Sequence, residues 1–253
     1  MTQTFQMCCP CHFGLERTLH FELTKIGASD ITVQDGRILF RGDYSVLAKA
    51  NLCLSTAERV LIQLGEFPAY SFEELFQGVK KLPLENWIGK DDAFPVKGHA
   101  LDSKLHSVPD CQSIVKKAAV ERLKQHYRTS WFSETGSIHQ IQFSIRKNLC
   151  VIYLDTSGAG LHKRGYRTND VAAPIKETLA SAMVQLSFWR EGRLLVDPCC
   201  GSGTIPIEAA LIARNIAPGL GRSFASEGWD ITPAGLWKEE RRLAYEAADT
   251  GAD

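Results

Sequence analysis

The chain has 253 residues, 44% of them hydrophobic and 23% charged, with a formal net charge of zero, which is enough to bury one large or two smaller cores. No apolar run approaches the roughly 18 residues of a membrane-spanning helix, and the start MTQTFQMCCP lacks the basic end and long apolar core of a signal peptide, so a cytoplasmic protein with no membrane partner is expected. The zero charge is a cancellation: between Lys97 and Arg190, 14 Lys and Arg stand against 7 Asp and Glu, which makes the middle of the chain the part expected to meet phosphate.

In chain order, Phe5–Cys9 reads as a strand and Leu15–Ile26 as a helix. Strands Ile31–Gln34 and Arg37–Arg41 follow, joined through Asp35-Gly36, then helix Tyr44–Leu54 and strand Arg59–Phe67. Asp-Gly is favoured in tight hairpins because their central residues need positive φ. The order β-α-β-β-α-β over residues 1–67 predicts a ferredoxin-like unit, a type that serves more often as scaffold than as catalyst.

A second unit is expected over residues 68–160. It has helix Phe72–Lys81, a connection Pro83–Ile88, strand Pro95–Ala100 and an amphipathic helix Ser113–His126 with Ile114, Ala118, Val120 and Leu123 apolar. Strands Ile141–Ile145 and Cys150–Leu154 flank the polar turn Arg146-Lys147-Asn148. Its basic residues include Lys104, Lys116, Lys117, Lys124, Arg128, Arg146 and Lys147, with Tyr127, Trp131 and Phe132 available to stack bases; the alternative is that the charges solvate helix faces and the aromatics are core.

Residues 161–253 form the third unit. LHKRGYRT places His162, Lys163, Arg164 and Arg167 within six residues, with Gly165 and Tyr166 between them, a segment suited to holding phosphate and stacking a base or to serving as a solvated linker. Helix Ile175–Phe188 precedes LLVDPCCGSGT, where a buried strand Leu194–Asp197 is expected to lead through Gly201 and Gly203 into helix Thr204–Arg214; Trp237–Asp249 is the last helix. Strand, glycine turn and helix in that order let backbone approach a nucleotide-type ligand and aim helix amides at it. Pro206 stands where a dinucleotide fingerprint has its third glycine, and no G-K-[ST] follows. The turn suits S-adenosylmethionine better than a pyrophosphate.

The eight cysteines offer no tetrahedral metal spacing. Cys8, Cys9, Cys11 and His12 crowd the N-terminus without a second C-x-x-C or H-x-x-x-H pair, so buried reduced thiols and no metal are expected, with Cys199 and Cys200 in the turn for their small size.

DPCCGSGTIPIEAALIARNIAPG, SGAGLHKRGYR at 157–167, APIKETLA at 173–180 and VKGHALDSKLHSVPDCQSIVKKA at 96–118 together resemble the THUMP-domain class I RNA methyltransferases that modify the exocyclic amine of guanine in bacterial ribosomal RNA, large-subunit type. The resemblance implies α/β and α+β architecture: the ferredoxin-like unit (1–67), a THUMP RNA-binding domain (68–160), and a linker followed by the N-terminal part of a Rossmann-like methyltransferase domain (161–253). It implies S-adenosylmethionine as cofactor, held by Asp197, Pro198, Cys199, Gly201, Ser202, Gly203 and Thr204, with Lys176, Glu177 and Thr178 as weaker candidates. His162, Lys163, Arg164, Gly165, Tyr166 and Arg167 are implied beside the active site or on RNA, and Lys104, Lys116 and Lys117 on RNA. The expected reaction forms N2-methylguanosine in 23S ribosomal RNA. The family's Asn-Pro-Pro-Tyr motif, which receives the amine, departs: no Asn-Pro occurs in these 253 residues, so no catalytic residue is assigned, the chain is expected to be truncated within the catalytic sheet, and by itself inactive. The alternatives are an RNA-binding module without catalysis, a transfer-RNA guanine methyltransferase, and a dehydrogenase; for the last, Glu227 and Asp230 lie too far beyond the turn.

Overall fold

The computed structural model describes residues 3–167, 174–190 and 192–249, and they fall into two compact units. The first comprises residues 1–60, 159–227 and 232–253; the second comprises residues 61–158 and 228–231.

In the first unit, β1 (Phe5–Pro10), α1 (Glu16–Lys25), β2 (Ser29–Gln34), β3 (Arg37–Gly42) and α2 (Tyr44–Cys53) appear within two residues of their expected starts. β3 is central, antiparallel to both β1 and β2, with Cys8 opposite Leu39 and Gln34 opposite Arg37. Alternation along β3 sends Ile38 and Phe40 into a core with Met7, Leu19, Leu23, Leu47 and Leu52. Cys8 and Cys9, neighbours on β1, are both buried. At the hairpin only Gly36 takes positive φ, 70°; its amide donates to Glu16 Oε1 at 2.8 Å. Helix α2 starts where Asp43 accepts from the Val46 amide at 3.0 Å.

The same unit holds α5 (Glu177–Leu186), α6 (Thr204–Ala213) and α7 (Leu236–Ala247). Helix α5 stops short of the expected Phe188, which adopts φ 57°. The expected strand Leu194–Asp197 is not formed: it pairs with nothing among the described residues, and Leu194 and Val196 are 89% and 70% exposed. An apolar sequence becomes a central strand only where neighbours take its N–H and C=O groups, and no described strand lies beside this one.

The second unit joins β4 (Leu61–Pro68), α3 (Phe72–Lys80), β5 (Val96–Leu101), α4 (Val108–Tyr127), β6 (Ile141–Arg146) and β7 (Leu149–Asp155). Its strands run β4-β7-β6-β5, with β5 and β6 parallel and the other pairs antiparallel. A parallel pair needs a crossover, which α4 supplies. That helix begins at Val108, five residues before the expected Ser113, because Pro109 is tolerated in a first turn. Both positive-φ residues of a tight hairpin occur here, at Lys147 (51°) and Asn148 (63°) between β6 and β7, rather than at Asp35-Gly36. The core collects Leu75, Val79, Phe94, Val115, Leu123, Phe143, Ile152 and Leu154.

Residues 228–231 strap onto this unit. Trp229 stacks on buried His139 with centroids 4.5 Å apart, and its indole N–H donates to Ile138 O at 3.0 Å. His139 Nε2 lies 3.0 Å from Asp92 Oδ2. Burial holds the imidazole down at about 4, against the pull of Asp92 and Asp230. Among the described residues no helix is long and apolar enough to cross a membrane.

Candidate cofactor turn and its flanking segments

The glycine turn forms although the strand before it does not. Asp197 Oδ1 accepts from the Cys199 amide at 3.1 Å, an Asx turn that reverses the chain. Gly201 and Gly203 take φ 54° and 74°, conformations that favour glycine. The Gly203 amide donates to Cys200 O at 2.8 Å, and Gly203 O accepts the first bond of α6 from Ile207 at 3.0 Å. No side chain caps α6, so the amides of Thr204 and Ile205 in its first turn, where Pro206 has none, lack a side-chain partner, the arrangement that receives polar or anionic ligand groups. A Cβ on Gly201 would meet nothing within 4 Å; there is room against the turn. Pro198 and Cys199 stand in the turn beside Asp197, Cys199 and Cys200 exposed, while Thr204 is buried and Ser202 half-buried.

Arg167 reaches this turn from the segment expected beside the active site or on RNA. Its Nη1 donates to Ser202 Oγ and its Nη2 to Thr204 Oγ1, each at 3.0 Å, while Nε and Nη2 donate to Glu177 Oε1 at 3.1 and 2.9 Å. Arg164 points inward too. Its guanidinium lies 3.4 Å from Glu208 Oε2, with the two side chains only 2% and 1% exposed, and donates to the carbonyls of Leu161 and Ser55 at 2.8 and 2.5 Å. Tyr166 donates its hydroxyl to Glu208 Oε1 at 3.1 Å. Burial raises the Glu208 carboxyl against the pull of Arg164, and raises the Tyr166 phenol. Arg164, expected beside the active site or on RNA, is half of a buried ion pair, whose disruption would strand a charge. Gly165, at φ 97°, also passes Gly221 so closely that a Cβ would lie 2.5 Å from its carbonyl oxygen.

His162 and Lys163 occupy a different environment. Arg222 donates to the carbonyls of Ala159, Gly160 and Lys163 at 2.7, 2.6 and 3.1 Å, fixing their backbone. Glu58 lies among His12, His162, Lys176 and Thr178, the last donating to it at 2.8 Å. Despite burial, which opposes it, the Glu58 carboxyl is lowered by Thr178, Lys176 and the two histidines; burial lowers His162. Lys163, Arg167, Lys176 and Glu177 line a cavity of about 420 Å³ with His162. Lys176, Glu177 and Thr178 thus pair with Glu58 and Arg167 within the unit. Sequence reading passed over Glu22, Glu58 and Arg222, whose partners lie far along the chain. Glu22 accepts from both the amide and the hydroxyl of Thr56. The one local signal was Glu208, a carboxylate on the otherwise apolar helix TIPIEAALIA, which demands a partner.

In the second unit, Lys116 is spent internally, pairing with Glu134 at 2.6 Å and donating to Phe94 O at 3.1 Å. Lys104 and Lys117 lie 5.5 and 5.9 Å from the rings of Tyr70 and Phe76. Trp131 is 72% exposed, whereas Phe132 packs edge-on against Phe94 and the Tyr127 hydroxyl donates to Ile88 O. Of the three expected stacking rings, Trp131 is the exposed one.

Residues 6–61 match the model of the RlmL ferredoxin-like domain, residues 69–155 that of the THUMP domain, and residues 164–253 that of the RMKL-like methyltransferase domain. The "Putative RNA methyltransferase YpsC" of Bacillus subtilis (strain 168) is 46% identical over 238 residues, covering 93% of this chain and 62% of that protein. Among solved structures, "a possible methylase from Clostridium difficile 630" superposes with a TM-score of 0.95 at 43% identity, covering 99% of this chain and 67% of that one. "SMU.472, a putative methyltransferase complexed with SAH" gives 0.93 at 43% identity, covering 99% and 66%. In chain order, the matched domains are a ferredoxin-like domain, a THUMP domain and an RMKL-like methyltransferase domain. The chain belongs to the RlmL/RMKL-like family of THUMP-containing methyltransferases. It spans about two thirds of the length of these relatives.

Proposed function

We propose that the chain carries the RNA-gripping domain and the methyl-donor turn of an S-adenosylmethionine-dependent RNA methyltransferase that forms N2-methylguanosine in 23S ribosomal RNA. The observation that carries this reading is the turn itself: Asp197 at its head, two positive-φ glycines with open space against Gly201, and the uncapped amides of α6. A carboxylate suits the cationic amino end of the donor, while the amides and the hydroxyls of Ser202 and Thr204 suit its ribose side. A relative 43% identical was crystallised with S-adenosylhomocysteine. When bound, the donor supplies a methyl group already activated by its sulfonium. The protein then has to hold the guanine amine in line with it and exclude water, the amine nitrogen gaining the methyl and losing a proton as the thioether leaves. The amine-orienting Asn-Pro-Pro-Tyr of the family is not in these 253 residues, so no residue of this chain is assigned to orient the amine.

Calorimetric titration with S-adenosylhomocysteine tests the reading. Saturable binding is expected, weakened by about tenfold or more in Asp197→Ala, the effect of losing one charge-assisted contact. Absence of binding by the unaltered chain would remove the methyl-donor reading from it. Filter binding to 23S fragments and to transfer RNA decides the acceptor, with tighter binding to the ribosomal fragment expected.

A further inference from the structure

The glycine turn has few supports of its own. Its lead segment, Leu194–Asp197, is unpaired among the described residues, and two of its residues are glycines in left-handed conformations. Backbone bonding across it comes from the Gly203 amide to Cys200 O, and Asp197 braces only Cys199. Such a loop would sample many conformations, and ordering it on binding costs affinity.

Arg167 supplies what the turn lacks. Four of its five N–H donors are committed to three side chains: twice to Glu177 Oε1, once to Ser202 Oγ and once to Thr204 Oγ1, all between 2.9 and 3.1 Å. Ser202 and Thr204 hydroxyls lie 3.1 Å from each other, so the guanidinium grips both sides of Gly203. Glu177 is a rigid anchor, buried in the first turn of α5. Arg167 itself is only 21% exposed.

We infer that Arg167 is the positioning residue of the glycine turn: it pins Ser202 and Thr204 to α5 so that the turn is preformed for its ligand, and it is thereby withdrawn from RNA contact. The identity of that ligand rests on the methyl-donor reading above; the clamp does not. A planar fork can bond three side chains at once, whereas a lysine ammonium acts as a point charge, so the role belongs to arginine specifically.

Hydrogen exchange read by mass spectrometry on the 253-residue chain tests this, alongside titrations with S-adenosylhomocysteine and a structured 23S fragment. Arg167→Ala should speed exchange over residues 199–205 by about tenfold or more, the factor for one lost charge-assisted hydrogen bond, while β1, β3 and α2 exchange as before. S-adenosylhomocysteine affinity should fall by a similar factor and RNA affinity should hold. Arg167→Lys should restore neither the slow exchange nor the affinity; rescue by lysine would mark a simple charge contact and overturn the clamp. So would unchanged exchange in Arg167→Ala, or lost RNA affinity with the turn still protected. If Arg167→Ala loosens the whole chain, the double variant Ser202→Ala, Thr204→Val keeps the Arg167–Glu177 pair and must reproduce the local acceleration, or the inference falls. Faster turn exchange in a chain whose unaltered form binds no S-adenosylhomocysteine would uphold the clamp and sink the methyl-donor reading instead.

Discussion

Two segments of this chain read almost alike and end differently. CVIYLD, closing β7 at Asp155, and LLVD, ending at Asp197, are both apolar runs that stop on an aspartate heading a tight turn. In each, the carboxylate accepts an amide two residues on, Ser157 at 2.9 Å and Cys199 at 3.1 Å. Yet β7 lies between β4 and β6 with Ile152 and Leu154 wholly buried, whereas Leu194 and Val196 project from an unpaired segment. The Asx turn is local and survives either way; the strand is a property of its neighbours.

The sharpest way to break the comparison is to truncate both runs. Ile152→Ala should cost about 3 kcal/mol and Leu194→Ala less than about 0.5 kcal/mol in urea unfolding followed by tryptophan fluorescence. Equal losses would mean that Leu194 is buried in solution. Next come the two aspartates. Asp155 is fully buried and also accepts from Gln140 and Gln142, so Asp155→Ala should cost about 2–3 kcal/mol, while Asp197→Ala should leave stability within about 0.5 kcal/mol and act on ligand binding instead.

A smaller effect comes from pH. His139, just before β6, has its native pKa lowered from 6.5 to about 4, so between those values the unfolded chain binds the extra proton. Stability is full above about 6.5 and declines as pH falls toward 4, by about 2 kcal/mol at pH 5. His139→Gln should flatten the profile of the second unit between pH 7 and 5. A slope unchanged by that substitution would assign the proton uptake elsewhere.

Period and turn chemistry made most of the elements legible: the alternation of β3, the apolar stripe of α4 and the glycine turn were all plain in the sequence. What was hidden depends on distant partners. The turn between β6 and β7 was marked by its polar residues Arg146-Lys147-Asn148, but its left-handed φ at Lys147 and Asn148 was not, since no Asn-Gly or Asp-Gly announces it. Arg164 and Glu208 are 44 residues apart and meet only because α6 packs against the 161–167 segment. Arg164 and Arg167, three residues apart in a motif that looked like one basic surface, both turn inward, one to a buried carboxylate and one to the glycine turn. Local sequence shows how many charges a segment holds; the fold decides how many remain for a ligand.

The cysteines lend themselves to one further use. Burial raises the thiols of Cys9, Cys11, Cys53 and Cys150, the last three to about 12, 11 and 12, and Cys8 and Cys111 are also shielded from solvent. Cys199 and Cys200 stand exposed on the turn itself. Because alkylation proceeds through accessible thiolate, a maleimide dye at neutral pH marks the turn in preference to the interior. The native chain thus carries built-in attachment points for a fluorescent reporter on its glycine turn, with no engineered residue needed.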